Sequence, residues 1–121
     1  MGAGWVKIFR KIMDADWYQS RPYDKAHAWL DLLLSATFSE KEIIRRGRKI
    51  ILKPGMIAAG MEELAARWGW SRAKVVRYIH SLEMLGQICA RKSNIGTILI
   101  IRNWEAYQSA ENDRTANGTA E

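Results

Sequence analysis

The stretch that decides the fold is residues 61–86, which read MEELAARWGWSRAKVVRYIHSLEMLG. Its first part has apolar residues at helical spacing and stops at Gly69, a residue type that often ends helices in the left-handed conformation. Ser71 then provides an N-cap for a second helix, which we expect to close at Gly86. Two helices joined by a tight glycine-containing turn are typical of the helix-turn-helix motif.

The second helix of this pair has an apolar face and a polar face. On a helical wheel, one face carries the apolar residues, and we expect it to point inward: Val75, Tyr78, Ile79, Leu82 and Leu85. In helix-turn-helix proteins the start of the second helix enters the major groove, where arginine binds guanine edges and small apolar groups contact thymine methyls. The outward and flanking positions therefore predict DNA contacts from Ser71, Arg72, Ala73, Lys74, Val76 and Arg77. Two tryptophans bracket the turn, Trp68 and Trp70, and we expect them to fix the angle between the helices.

A hairpin is predicted directly after this pair. Residues 87–102 read QICARKSNIGTILIIR, with strand-like runs at 88–92 and 97–101 around a turn at 93–96. A hairpin in this position is a wing, and its tip can reach the DNA backbone or the minor groove. We therefore add to the predicted contacts Arg91, Lys92 and Asn94.

A second hairpin is predicted before the pair. Residues 42–53 read EIIRRGRKIILK, and Gly47 suits the positive φ of a tight turn. Its cations are Arg45, Arg46, Arg48, Lys49 and Lys53, with no acidic residue between the first and the last. Such a run suits phosphate binding, and we include Arg45, Arg46 and Arg48 among the predicted contacts. The same run also suits an edge strand that charge protects from aggregation.

The remaining chain completes the predicted fold. Residues 5–17 have the spacing of an amphipathic helix, and Asp24 is a candidate N-cap for a helix over 25–38 that is apolar almost all round. The predicted class is α+β, mostly helical: a winged helix-turn-helix with an extra β-hairpin before the helix-turn-helix. We expect one domain over 1–107 and a polar, disordered tail or linker over 108–121.

The charge distribution favours a polyanionic partner. The chain carries a formal net charge of +6, but residues 1–104 carry +9 and residues 105–121 carry −3. A compact basic domain of this kind is typical of proteins that bind nucleic acid. The N-terminus has no signal-peptide pattern, and the apolar stretch 29–38 is too short for a bilayer, so we expect a cytoplasmic protein without a membrane partner.

The inventory of reactive residues argues against an enzyme. The histidines are His27 and His80, the single cysteine is Cys89, and their spacing matches no metal-binding pattern. No glycine-rich motif for a phosphate or a dinucleotide is present. We therefore expect no catalytic activity and no cofactor, and we expect Cys89 to be a core residue of its strand.

The sequence also resembles a known family. The segments GWVKIFRKI, AWLDLLLSA and TILIIRNWEAYQ, with the run RGRKIILKPGMIAAGMEELAARWGWSRAKVVRYIHSLEMLG, resemble the N-terminal winged-helix domain of DnaD-like primosomal proteins and phage or prophage replisome organisers. The resemblance covers residues 4–108. It implies replication initiation on double-stranded DNA, with a helicase loader or other primosome proteins as partners. The residues that match the basic start of the family's recognition helix are Ser71, Arg72, Lys74 and Arg77.

Two alternatives stay open at this point. The same fold serves transcriptional regulators, although the sequence contains no long helix for the dimer that such regulators usually need. In some members of the resembled family the winged domain mainly mediates self-association, which implies a protein-interaction module that oligomerises or docks to a helicase loader.

Overall fold

The computed structural model describes residue 4 and residues 6–107, which form helices packed on two small antiparallel sheets. In chain order the elements are α1 (Lys25–Ser35), β1 (Lys41–Arg45), β2 (Arg48–Leu52), β3 (Met56–Ala58), α2 (Met61–Trp68), α3 (Arg72–Met84), β4 (Ile88–Ser93), β5 (Gly96–Ile101) and α4 (Trp104–Tyr107). With 39% helix and 25% strand, the predicted α+β class is confirmed. These proportions do not make the chain mostly helical.

The two sheets have simple antiparallel topology. Strands β1 and β2 form a hairpin by themselves, and the other three strands are ordered β3-β5-β4. Both predicted hairpins are present within two residues of their expected bounds. The first turns at Arg46 and Gly47, whose φ angles of 51° and 75° are the pair of positive values that a type I′ turn requires.

The α2–α3 pair forms as its sequence predicts. Gly69 ends α2 at φ 72°, and its N–H donates to the Ala65 carbonyl oxygen. The Ser71 hydroxyl accepts from the Lys74 N–H at 3.1 Å and so caps α3. The expected inward face of α3 is buried except at Leu85, which lies beyond the helix end and is 72% exposed.

Aromatic side chains fix the angle between α2 and α3. Trp68 is fully buried, and the Trp68 and Trp70 rings pack edge to face at 5.0 Å between centroids. The Trp70 ring also packs edge to face on Tyr78 of α3, and its Nε1 donates to the Tyr23 carbonyl oxygen at 2.7 Å. The structural role predicted for the two tryptophans is therefore confirmed.

The predicted helix over residues 5–17 is wrong. Trp5 lies outside the described residues, residues 6–9 form no helix, and only a short 3-10 helix occurs, Arg10–Asp14. None of the described side chains caps that helix, and Val6 and Phe9 are 81% and 78% exposed. Ile12 and Met13 pack against the core, but Phe9 stays in solvent, so too little of the expected apolar face is buried to stabilise a longer helix.

Helix α1 is shorter than predicted, ending at Ser35 and not at 38, although Asp24 caps its start as expected. The Thr37 N–H donates to the Met56 carbonyl oxygen, and the Thr37 carbonyl oxygen accepts from the Gly55 N–H. This pairing beside the start of β3 requires extended backbone and ends the helix. The predicted tail over 108–121 lies outside the described residues.

Candidate nucleic-acid interface

The predicted contact residues of α3 divide into two groups. Ser71, Arg72, Ala73 and Arg77 are exposed, as predicted. Lys74 is half-buried with its Nζ 4.3 Å from the centre of the Trp70 ring, a cation–π arrangement that holds the ammonium group over the turn. Val76 is half-buried and packs against the edge of the core. The exposed cations of this face are therefore Arg72 and Arg77.

Arg72 makes a weak ion pair with the first turn of α2. Its Nε lies 3.4 Å from Glu62 Oε1, and the two side chains are 62% and 85% exposed. A pair so exposed contributes little to stability, so an incoming phosphate competes easily for the guanidinium group. Arg77 forms no ion pair with any of the described residues.

The β4–β5 hairpin carries its predicted residues at its free end. Arg91, Lys92 and Asn94 are all exposed, and neither cation forms an ion pair within the described part of the chain. The hairpin is fixed to α3, because Glu83 Oε2 accepts from the Ala90 N–H at 3.2 Å. The exposed cations of the hairpin are thus held in a defined place relative to the helix.

Arg45, predicted as a phosphate contact, is engaged inside the protein. Its Nη1 lies 2.8 Å from Glu63 Oε1, and its Nη2 donates to the Ala58 carbonyl oxygen at 2.8 Å. Glu63 Oε1 also accepts from the Gly60 N–H at the start of α2. The hydrogen bond from Arg45 lowers the pKa of Glu63, which keeps the carboxylate charged. Arg45 therefore anchors the β1–β2 hairpin to β3 and α2.

Arg46 joins the tips of the two hairpins. Its Nη1 donates to the Asn94 carbonyl oxygen at 2.6 Å, although the two residues are 48 positions apart. A groove of about 330 Å³ lies behind this contact, and Arg46, Glu62 and Ile95 all line it. Glu62 also pairs with Arg72, so the first turn of α3 lies beside the groove that the two hairpin tips line.

The structure thus brings together the three basic segments that sequence reasoning identified separately. No local sequence signal indicated that the hairpin tips meet. The contact depends on the side chain of Arg46 and on a backbone carbonyl group in a distant turn. Arg48, the remaining predicted contact, is exposed beside Arg46 and forms no ion pair among the described residues.

Sequence reasoning missed Asp31, a buried residue of α1 that binds side chains at the end of α2. Its carboxylate is fully buried in α1 and accepts from Tyr18 Oη at 2.8 Å, Arg67 Nε at 2.8 Å and Trp68 Nε1 at 2.9 Å. Burial, followed by the hydrogen bond to Asp31, raises the pKa of Tyr18. The one acidic residue in an otherwise apolar helix was the available signal, but its partners are 13 to 37 positions away.

Tyr78 ties the inward face of α3 to the start of α1. Its hydroxyl donates to the Lys25 carbonyl oxygen at 2.7 Å, and burial raises its pKa to about 12. The neutral hydroxyl is therefore a stable donor at physiological pH. Through Tyr78 and Asp31, α1 positions both helices of the pair.

Other reactive groups do not assemble into a site. Cys89 is half-buried on β4, so the prediction that it belongs to the core is wrong, because its side of the strand is turned partly to solvent. The His27 ring stacks on Tyr23 at 3.7 Å, and its buried Nε2 has no hydrogen-bond partner among the described residues. The described residues contain no group of three or more His, Cys, Asp or Glu side chains placed to hold a metal ion. None of the helices described combines the length and apolar character of a membrane span.

The chain was compared with models of protein families, with curated proteins and with solved structures. None of them matches it.

Proposed function

We propose that this chain is a winged helix-turn-helix domain that binds double-stranded DNA. In this proposal α3 is the recognition helix, and the β4–β5 hairpin is the wing. The element order and the β3-β5-β4 sheet support the fold assignment. The observation that carries the proposed function is the groove lined by both hairpin tips and the first turn of α2, where Arg46 joins the tips and Glu62 pairs with Arg72, so that three cation-bearing segments are neighbours.

In the proposed binding mode, α3 and the β4–β5 hairpin contact different parts of the DNA. Helix α3 has 13 residues and is about 20 Å long, which suits the major groove. Arg72 and Arg77 reach base edges or phosphates from its exposed face, and Ala73 leaves room for a thymine methyl group. Arg91 and Lys92 on the wing neutralise backbone phosphates, which supplies affinity without reading sequence.

A titration with labelled DNA tests the proposal. We expect anisotropy of a fluorescein-labelled random duplex to report micromolar binding at about 50 mM salt and a steep loss at about 200 mM. Arg77→Ala should weaken binding by about 1–3 kcal/mol if the side chain reads a base, and by less if it meets only phosphate. Lys25→Ala is the control, since the Lys25 backbone carbonyl oxygen accepts from Tyr78 on the inward face of α3, opposite the proposed interface.

Two outcomes of this titration would contradict the proposal. Absence of binding by the wild-type chain at the lower salt concentration would remove DNA as the ligand. An equal loss of affinity in Arg77→Ala and Lys25→Ala would show that net charge, and not the α3 surface, determines binding.

The resemblance to DnaD-like proteins and replisome organisers supports a place in replication initiation, where DNA binding would serve assembly at an origin. The alternative of a protein-interaction module has one structural observation in its favour. Three apolar side chains within four residues are exposed, namely Val6, Ile8 and Phe9, and such a cluster is typical of a segment that contacts another protein. Size-exclusion chromatography at low and high salt separates the two, since apolar self-association persists at high salt and charge-driven binding does not.

A further inference from the structure

The β1–β2 hairpin lies where a second wing would lie. Its tip is bonded to the tip of the β4–β5 hairpin through Arg46 and the Asn94 carbonyl oxygen. Arg45, the residue before the turn, bonds to Glu63 and to the Ala58 carbonyl oxygen. The turn end of the hairpin is thus held by two adjacent arginines, although the hairpin belongs to a separate sheet.

The conformation of Arg46 favours a functional role for this tip. Arg46 has a φ of 51°, a left-handed value that costs a residue with a side chain about 1 kcal/mol or more. The first central position of a type I′ turn usually has Asn, Asp or Gly. An arginine there uses one N–H on the wing and retains further N–H groups of its guanidinium fork for an anion.

The two faces of the hairpin differ in charge pairing. Arg48 is directly opposite Arg45 in the ladder, so both side chains project from the face that meets α2 and β3. Arg45 is neutralised by Glu63, whereas Arg48 is exposed and unpaired among the described residues. Lys49 projects from the other face and pairs with Glu42 at 3.2 Å. Among the described residues, Arg48 is thus the unpaired cation next to Arg46, and it lies on the face that meets α2 and β3.

We propose that the β1–β2 hairpin is a second wing, in which Arg46 and Arg48 bind one or two DNA phosphates beside those contacted by Arg91 and Lys92. This inference rests on the proposed function and extends its footprint along the backbone. The contact between Arg46 and Asn94 sets the spacing of the two wing tips before DNA binds, so that little conformational entropy is lost on binding.

The salt dependence of affinity for a random duplex tests this proposal, with Arg48→Gln and Lys49→Gln as a matched pair. The two residues are adjacent, and each substitution removes one positive charge, but they project from opposite faces. We expect Arg48→Gln to reduce the slope of log K against log salt by about 0.9 and to lower affinity roughly 3- to 10-fold near 0.1 M salt. Lys49→Gln should change the slope by less than about a third of that amount.

The outcomes separate this inference from the proposed function. Equal slopes for both variants and the wild-type chain would overturn the second wing while leaving DNA binding by α3 intact. Equal losses in both variants would also overturn it, since they would reflect net charge alone. Absence of binding by the wild-type chain would overturn the proposed function and, with it, this inference. Thermal unfolding of each variant confirms that the fold is unchanged.

Discussion

The α2–α3 pair and the β1–β2 hairpin are both tight, short structures, but they are held in place by different forces. The pair rests on buried groups, with Trp68 and the Asp31 carboxylate both inaccessible to solvent. The hairpin is held by the hydrogen bonds of Arg45 and Arg46 together with the buried side chain of Leu52, and its outer face exposes Ile44 and Ile51 by 73% and 53%. Burial dominates in the first region, whereas partly exposed charged contacts add a large share in the second.

This difference determines how each region responds to change. Groups buried away from water pay a large penalty when they lose a partner, because no solvent replaces the lost hydrogen bond. Exposed charged groups lose little, because water and salt ions replace the partner. The contacts that position the proposed second wing should therefore respond more to salt and pH than those that hold the proposed recognition helix.

The largest effect should follow from removing the buried carboxylate. Asp31→Ala leaves Arg67, Trp68 Nε1 and the Tyr18 hydroxyl without their acceptor, so we expect a loss of about 3–5 kcal/mol in the free energy of unfolding. Asp31→Asn keeps the shape and should cost less. Urea unfolding measures both.

The control for Asp31 lies in the hairpin. Glu42→Ala also removes one carboxylate and breaks one ion pair, that with Lys49, but both side chains are more than half exposed. We expect this substitution to cost less than about 1 kcal/mol. Similar losses at the two positions would break the distinction between a region fixed by burial and one fixed by exposed charge.

A smaller effect should distinguish two glycines in the same left-handed conformation. Gly69 and Gly47 have φ angles of 72° and 75°, so alanine at either position costs about 1–2 kcal/mol in backbone energy. At Gly69 a Cβ atom would lie 3.2 Å from the Pro22 Cα and 3.0 Å from the Arg21 Cβ, whereas at Gly47 no atom of the described residues would lie within 4 Å of it. Gly69→Ala should therefore be the more costly by roughly 1 kcal/mol.

Thermal unfolding of the two alanine variants measures this difference directly. The backbone term cancels between them, which leaves the contact of the α2–α3 turn with residues 21–22. Equal melting temperatures would mean that residues 21–22 move aside without loss of stability, and that the α2–α3 turn is no more rigid than the exposed hairpin turn.

The sequence predicted best where local chemistry decides the structure. Gly69 and Ser71 end and begin helices through their own backbone and side-chain preferences, and Gly47 supports a turn in the same way. These features depend on residues within four positions, so a sequence pattern contains the needed information.

The predictions that failed depend on distant partners. Residues 5–17 have helical spacing, but Phe9 is exposed while Ile12 and Met13 pack on the core, and periodicity cannot reveal that difference. Arg45 stays a predicted phosphate contact, but it already pairs with Glu63, which is 18 positions away, and no local pattern indicates that pairing. The role of Asp31 was missed for the same reason. The spacing of charged residues indicated a basic surface, but not which of its cations are already paired.

An effect as small as that of Glu42→Ala should come from the charge of Glu63, whose pairing with Arg45 anchors the hairpin. Its pKa is lowered from 4.5, mainly by the Arg45 hydrogen bond, so the pair stabilises the fold above pH 4.5 and loses that contribution as pH falls through the lowered value. Glu63→Gln keeps an oxygen acceptor for the Gly60 N–H and removes only the charge. Because the side chain is 54% exposed, we expect a cost of no more than about 1 kcal/mol at pH 7, shrinking at about pH 3 and in high salt. Urea unfolding at the two pH values measures it. A difference independent of pH and salt would mean that packing, and not charge, holds the hairpin, and the contrast between the two regions would then disappear.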